Sequence, residues 1–319
     1  MQGQRRITRK NIHNRVRLCK AAVRQRYDAY EPISPLRLFV QESTCLLAIT
    51  ELERPVRSKL KDLFKETAKR CNVGITSYGH YQELVEHEKL SKGFQRVMVF
   101  GGEHTVRLLH FLSASQAQLS QDLFVLSQIG MKTEGFFVEF GATNGVTFSN
   151  TYLLESEFQW KGILAEPARY WHAALRSNRR CNIETDCVWH KSNDALVFNE
   201  VSSMKELSTV ETLNAADFHA KTRKNGKSYT VNTISLADLL EKHDAPRVVD
   251  YLSIDTEGSE HDILAGFNFE KYQFRVITCE HNFTPQREMI FELLSKHGYQ
   301  RRFEQCSQFD DWYVHPGLT

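Results

Sequence analysis

Apolar residues in the second half of the chain fall into short, nearly unbroken runs separated by stretches of helical spacing. Phe136, Phe137, Val138 and Phe140 leave no room for alternation, as expected of a strand covered on both faces in a parallel sheet. Ile163 and Leu164 predict a second such strand, residues 181–188 a third, 248–255 a fourth and 276–280 a fifth. Between them, Tyr152, Leu153 and Phe158 face inward from one helix, and residues 170–178 read as another. Leu236, Leu239 and Leu240 make the apolar face of a third helix, which Ser235 caps with Asp238 three positions on. A helix over 285–297 and two closing strands, 299–303 and 312–314, paired antiparallel, complete the pattern. Strands alternating with helices in this way predict an α/β domain built on a parallel sheet.

The first third reads differently. Ile12, Val16, Cys19 and Val23 recur at helical spacing, and residues 31–90 continue as helix punctuated by Pro32, Pro35 and Pro55, with Leu60, Leu63, Phe64 and Ala68 on one face. Residues 96–100 read as a strand, and Gly101-Gly102 then leads to a helix ending near Leu112, a structural βα unit. Residues 113–120 are small and polar, which marks a linker and sets the expected division: 1–113, a mainly helical N-terminal region, and 114–319, the main domain. Residues 200–230 are polar and longer than an ordinary connection, so they are expected to be a loop that covers the site or meets a substrate.

Composition narrows the setting. With 319 residues, 41% hydrophobic and 25% charged, the chain has enough material for one full globular domain and an appendage. The net charge of +2 conceals a basic arm: residues 1–27 hold nine Lys and Arg and no acid. Such an arm suits an anionic membrane surface, a polyanionic glycan or an acidic partner, or packs on its own protein with a solvated basic face; nucleic acid is not expected. No run of apolar residues is long enough for a membrane span and the first residues lack a signal core, so a cytoplasmic protein, peripheral to a membrane at most, is expected. The seven cysteines contain no C-x-x-C pair and show neither a zinc site nor a disulfide framework.

The chemistry gathers at the predicted strand tips. Gly141 and Gly145 supply a turn between the first strand and its helix, and Glu166 follows at the tip of the second strand, roughly 20 residues on, where an acidic side chain of a Rossmann-like fold grips ribose hydroxyls. Glu139, just ahead of the turn, would repel a pyrophosphate and suits a cationic ligand. S-adenosylmethionine (SAM), with its sulfonium and ammonium, is therefore favoured over a nicotinamide cofactor. Asp186, near the end of the third strand, is a candidate for the adenine amino group. Asp255, Glu257 and Glu260 crowd the tip of the fourth strand, where capping a helix accounts for one or two of them but not three, and Glu280-His281 ends the fifth. His281 is a candidate general base with Glu280 or Asp255 orienting it; Asp255 is the alternative base. Asp255, Glu257, Glu280 and His281 are also a candidate ligand set for Mg²⁺ or Mn²⁺.

The motifs VEFGATNG, SNTYLLE, W-x-G-I-L-A-E-P and DYLSIDTEGSEHDIL resemble those of the FkbM family of SAM-dependent O-methyltransferases, over residues 120–314. The resemblance implies a class I methyltransferase sheet and methylation of a hydroxyl on a sugar or glycan. It also implies that Ala142, Asn144, Asn150 and Pro167, within those motifs, join Glu139, Gly141, Gly145, Glu166, Asp186 and Asp255 around the cofactor. The other classes open are N-methylation of protein or RNA, for which no N/D-P-P-Y acceptor motif is present, and a binding module that has kept the fold.

Overall fold

The computed structural model describes residues 78–201, 209–210 and 226–319. The basic arm and residues 31–77 lie outside these, as does most of the expected 200–230 loop. The chain divides between Val85 and Glu86, and both sheets belong to the second unit, Glu86–Thr319.

Its centre is a seven-stranded sheet. β1 (Phe136–Phe140) pairs in parallel with β2 (Lys161–Ala165) on one side and with β8 (Val248–Ile254) on the other; β3 (Asn182–Glu184) flanks β2, and β9 (Gln273–Glu280) flanks β8. β11 (Asp310–Val314) joins β9 antiparallel and carries β10 (Gln300–Arg302) on its outer edge. The order β10-β11-β9-β8-β1-β2-β3 reverses direction between β1 and β8. In a doubly wound sheet that reversal opens a crevice beyond the carboxyl ends of the strands.

Both faces are covered, which explains why the strands read as continuous apolar runs. Phe137, Leu164, Tyr251, Val276 and Trp312 point to one side, against helices Gln121–Gln128 and Tyr152–Phe158. Trp312 stacks on Phe124 with ring centres 4.5 Å apart. Val138, Ile163, Leu252, Ile277 and Tyr313 point to the other, against helices Leu236–Lys242, Glu260–Ala265 and Gln286–Lys296. Ser235 does cap the first of these, its side chain accepting from the Asp238 N–H.

Three expectations change. Residues 96–100 are not a strand but the last turns of a helix, Tyr78–Phe100. Gly93, Arg96, Val97 and Phe100 are buried while Met98 and Val99 are exposed, the spacing of one helical face. Arg96 fixes that end by donating from Nε to the Cys306 carbonyl at 3.2 Å. The third strand is two: Glu184 Oε1 accepts from the Thr185 and Asp186 N–H groups and turns the chain between β3 and β4 (Cys187–Trp189). β4 then enters a second sheet, in the order β4-β7-β5-β6, with β5 (Ala195–Glu200), β6 (Thr209–Val210) and β7 (Lys227–Ser235). Part of the expected loop is thus sheet, and it folds a small apolar cluster of its own around Trp189, Phe198, Val210 and Val231. Residues 113–120 contribute buried Ser115, Ala117, Leu119 and Ser120 to this unit, and Ala117 bridges to Phe148.

Candidate active site

A cavity of about 380 Å³ opens over the β1–β8 reversal. Its floor is the turn after β1 (Gly141, Ala142 and Thr143) with Glu166-Pro167 after β2. One wall is apolar, from Trp171, Cys187, Val188, Phe198 and Val210; the other is acidic, from Asp255, Glu257 and Glu280. Among the described residues, no lysine, arginine or histidine lines it.

Gly141 has φ +73°, and a Cβ there would lie 2.1 Å from the Asp255 carbonyl oxygen. The glycine therefore lets the β1 and β8 loops touch. Glu166, almost wholly buried, accepts from the Thr143 N–H with Oε2 and from the Ala168 N–H with Oε1, each at 2.8 Å. Burial pushes its carboxyl up to about 7 against those two hydrogen bonds. An ionised carboxylate accepts about four hydrogen bonds, so each oxygen keeps capacity for a ribose hydroxyl.

Glu139 is placed at the cavity wall, but its oxygens are committed within the chain. Oε1 accepts from the Asn150 N–H at 2.8 Å; Oε2 accepts from the Ser149 hydroxyl at 2.9 Å and from the Thr151 hydroxyl. Buried Arg179 stands 4.0 Å away and also donates to the Gly145 carbonyl and the same two hydroxyls, while its Nε bonds Glu155 at 2.7 Å. This arginine organises the whole 145–151 turn, and no sequence motif singled it out. The only available signal was a buried acid at a strand tip that needed a cation. Gly145 makes room for it, since a Cβ there would lie 2.6 Å from the Arg179 side chain. Asn144 does not line the cavity; its Oδ1 accepts from the Val146 and Thr147 N–H groups and shapes the same turn. Asp186 does not line it either, although its neighbours Cys187 and Val188 do.

The acidic wall separates the three clustered carboxylates of the β8 loop. Glu260 turns away and staples the loop, accepting from the Thr256 and Gly258 N–H groups at 3.0 Å. Asp255, Glu257 and Glu280 converge, with one oxygen of each within 4.8 Å of the others. Burial, then the neighbouring charges of Asp255, Glu257 and Glu260, raise Glu280 well above the usual range. Burial likewise raises Asp255 to about 6, opposed by its hydrogen bond to Glu280. Two carboxylates this close titrate as a pair and hold one proton between them over part of the pH range. His281, the candidate base, lies apart from these carboxylates. Its side chain is 1% exposed and absent from the cavity wall; Nδ1 accepts from the Phe283 N–H at 3.0 Å and Nε2 faces Asp311 at 3.8 Å. It anchors the turn that sets Asn282 at the cavity wall, and among the described residues the carboxylate set includes no imidazole.

The sheet order and the crevice at its reversal define a Rossmann-like class I methyltransferase fold. Residues 139–301, just over half the chain, match the methyltransferase FkbM domain, and the chain belongs to that family. Among solved structures it is similar to a methyltransferase FkbM from Methylobacillus flagellatus KT, at 12% identity and a TM-score of 0.38, over 70% of this chain and 58% of that one. It is also similar to a precorrin-6y C5,15-methyltransferase from Geobacter metallireducens GS-15, at 12% identity and 0.33, over 60% and 85%. A putative RNA methyltransferase from Pyrococcus horikoshii matches at 11% identity and 0.30, over 62% and 82%. No curated protein matches the chain.

Proposed function

We propose that the protein transfers a methyl group from SAM to a hydroxyl group of a sugar or glycan. Bound SAM supplies an electrophilic methyl on a sulfonium. Glu166 holds the ribose, the glycine turn carries the adenosine, and the apolar wall of Cys187, Val188, Phe198 and Val210 excludes water beside it. The observation that carries the reading is the Asp255–Glu280 pair facing this same cavity. An alcohol must lose its proton as it attacks, and a carboxylate desolvated to a raised pKa is a stronger base than one in water. Asp255, the more exposed of the two, receives that proton, while Glu280 holds it in place through their shared hydrogen bond.

Calorimetry with S-adenosylhomocysteine and with NAD, followed by transfer of isotope-labelled methyl from SAM to a panel of glycosides, tests the reading. Binding of the first ligand only, and label recovered in an alkali-stable ether, are the expected results. Glu166→Ala should weaken binding of S-adenosylhomocysteine by ~1.5–3 kcal/mol, the loss for hydrogen bonds to a charged group. Label recovered on nitrogen of a protein or RNA acceptor would reject the sugar hydroxyl.

A further inference from the structure

Of the buried side-chain atoms left without a hydrogen-bond partner among the described residues, only Asn150 Oδ1 belongs to a residue of the cavity wall. Asn150 is 8% exposed, and the rest of it is pinned: its N–H donates to Glu139 Oε1 at 2.8 Å and its Nδ2 donates to Ser253 Oγ at 2.9 Å. Leaving a buried acceptor unmet is destabilising, so this oxygen calls for a donor that the described residues do not provide.

Its place in the sheet says which donor. Glu139 on β1 and Ser253 on β8 are direct register partners, so Asn150 sits over the β1–β8 seam. Glu166 lies one strand away, beyond the end of β2. A ligand whose ribose rests on Glu166 therefore presents to Asn150 the end that extends toward β8. Among the described residues the wall on that side carries Asp255, Glu257 and Glu280 and no cationic side chain, so the favoured donor is positively charged.

We propose that Asn150 Oδ1 accepts a hydrogen bond from the α-ammonium of the cofactor's amino-acid arm. Glu139 is then a positioning residue, which aims that amide through the Asn150 N–H and does not itself meet the cation. The assignment rests on the SAM reading above.

Calorimetry on the full chain tests it with two ligands that share adenosine. S-adenosylhomocysteine has the amino-acid arm, and 5′-methylthioadenosine lacks it. Asn150→Ala should weaken S-adenosylhomocysteine ~10-fold and leave methylthioadenosine unchanged, while Asn150→Asp should hold or tighten the former. Glu139→Gln should reproduce the Asn150→Ala selectivity, and the double variant should lose no more than either single one, as two residues acting through one contact require. Equal losses for both ligands would overturn the assignment in favour of a role in the fold or at the adenosine, and so would no loss for either. Failure of the wild-type chain to bind S-adenosylhomocysteine at all would overturn the cofactor reading together with this one.

Discussion

A hydroxyl group at neutral pH gives up its proton only to a base that is close and insufficiently solvated, and Asp255 with Glu280 supplies both conditions at one strand tip. Asp255→Asn and Glu280→Gln should each lower turnover by ~10²–10⁴-fold, the scale of general base catalysis, with affinity for S-adenosylhomocysteine retained. His281→Ala should stay within ~10-fold of wild type, since its imidazole faces Asp311 and Phe283. Because the Asp255 carboxyl titrates near 6, kcat/KM should rise from pH 5 to 7 and level off above. A chelator should leave the rate unchanged; loss of activity on chelation, restored by Mg²⁺, would replace the proton-sharing pair with a cation held by Asp255, Glu257 and Glu280. Residue identity at this site was largely legible: Glu166, Asp255 and Glu280 follow from acids placed just beyond apolar runs. His281 follows Glu280 in sequence but not into the cavity, because the strand ends at Glu280 and the turn beyond it carries the imidazole toward Asp311.

At the level of elements, the loop from Gly141 to Thr151 is held by its supports rather than by its own propensity. Arg179, from the end of helix His172–Asn178, neutralises Glu139 and Glu155 in the interior. Arg179→Leu leaves both acids without their cation and should lower unfolding stability by ~3–5 kcal/mol in a urea titration, as breaking a buried ion pair does; a loss under ~1 kcal/mol would show the loop stands without it. Gly141→Ala drives a methyl into the Asp255 carbonyl at a positive-φ position. It should therefore displace the base as well as the turn, and turnover should fall further than cofactor affinity. The strands of the main sheet were legible because burial on both faces leaves unbroken apolar runs. The second sheet was not: β7 buries Val231, Thr233 and Ile234 among exposed neighbours, a weak alternation inside a polar stretch. Residues 96–100 misled in the opposite sense, since the run R-V-M-V-F carries strand-forming side chains that packing against Leu108, Phe124 and Trp312 holds in a helix.

For the whole molecule, the sheet order was implied only through the family resemblance, because which strands become neighbours depends on contacts between residues far apart in the chain. Those contacts gather acids. β11 returns antiparallel beside β9 and sets Asp310 opposite Glu280, where Gln121 Nε2 donates to it at 2.7 Å. Burial pushes Asp310 and Glu166 up to about 7, and Asp255 and Asp122 up to about 6. Each of these native carboxyls keeps its proton to a higher pH than the unfolded chain does. The stability they contribute is therefore complete below about pH 4, the unfolded range, and is lost as pH rises through 6 and 7. Glu155 acts in the opposite sense: against the upward push of burial, Arg179 holds it low, so its contribution fails only in stronger acid. The ligand-free protein should accordingly melt at a higher temperature at pH 5 than at pH 8. Asp310→Asn, which keeps an acceptor for Gln121 but cannot ionise, should narrow that difference. A melting temperature that climbs steadily from pH 5 to 8, in wild type and variant alike, would mean that these carboxyls are solvated in the native state and that Asp255 is no stronger a base than an ordinary surface aspartate.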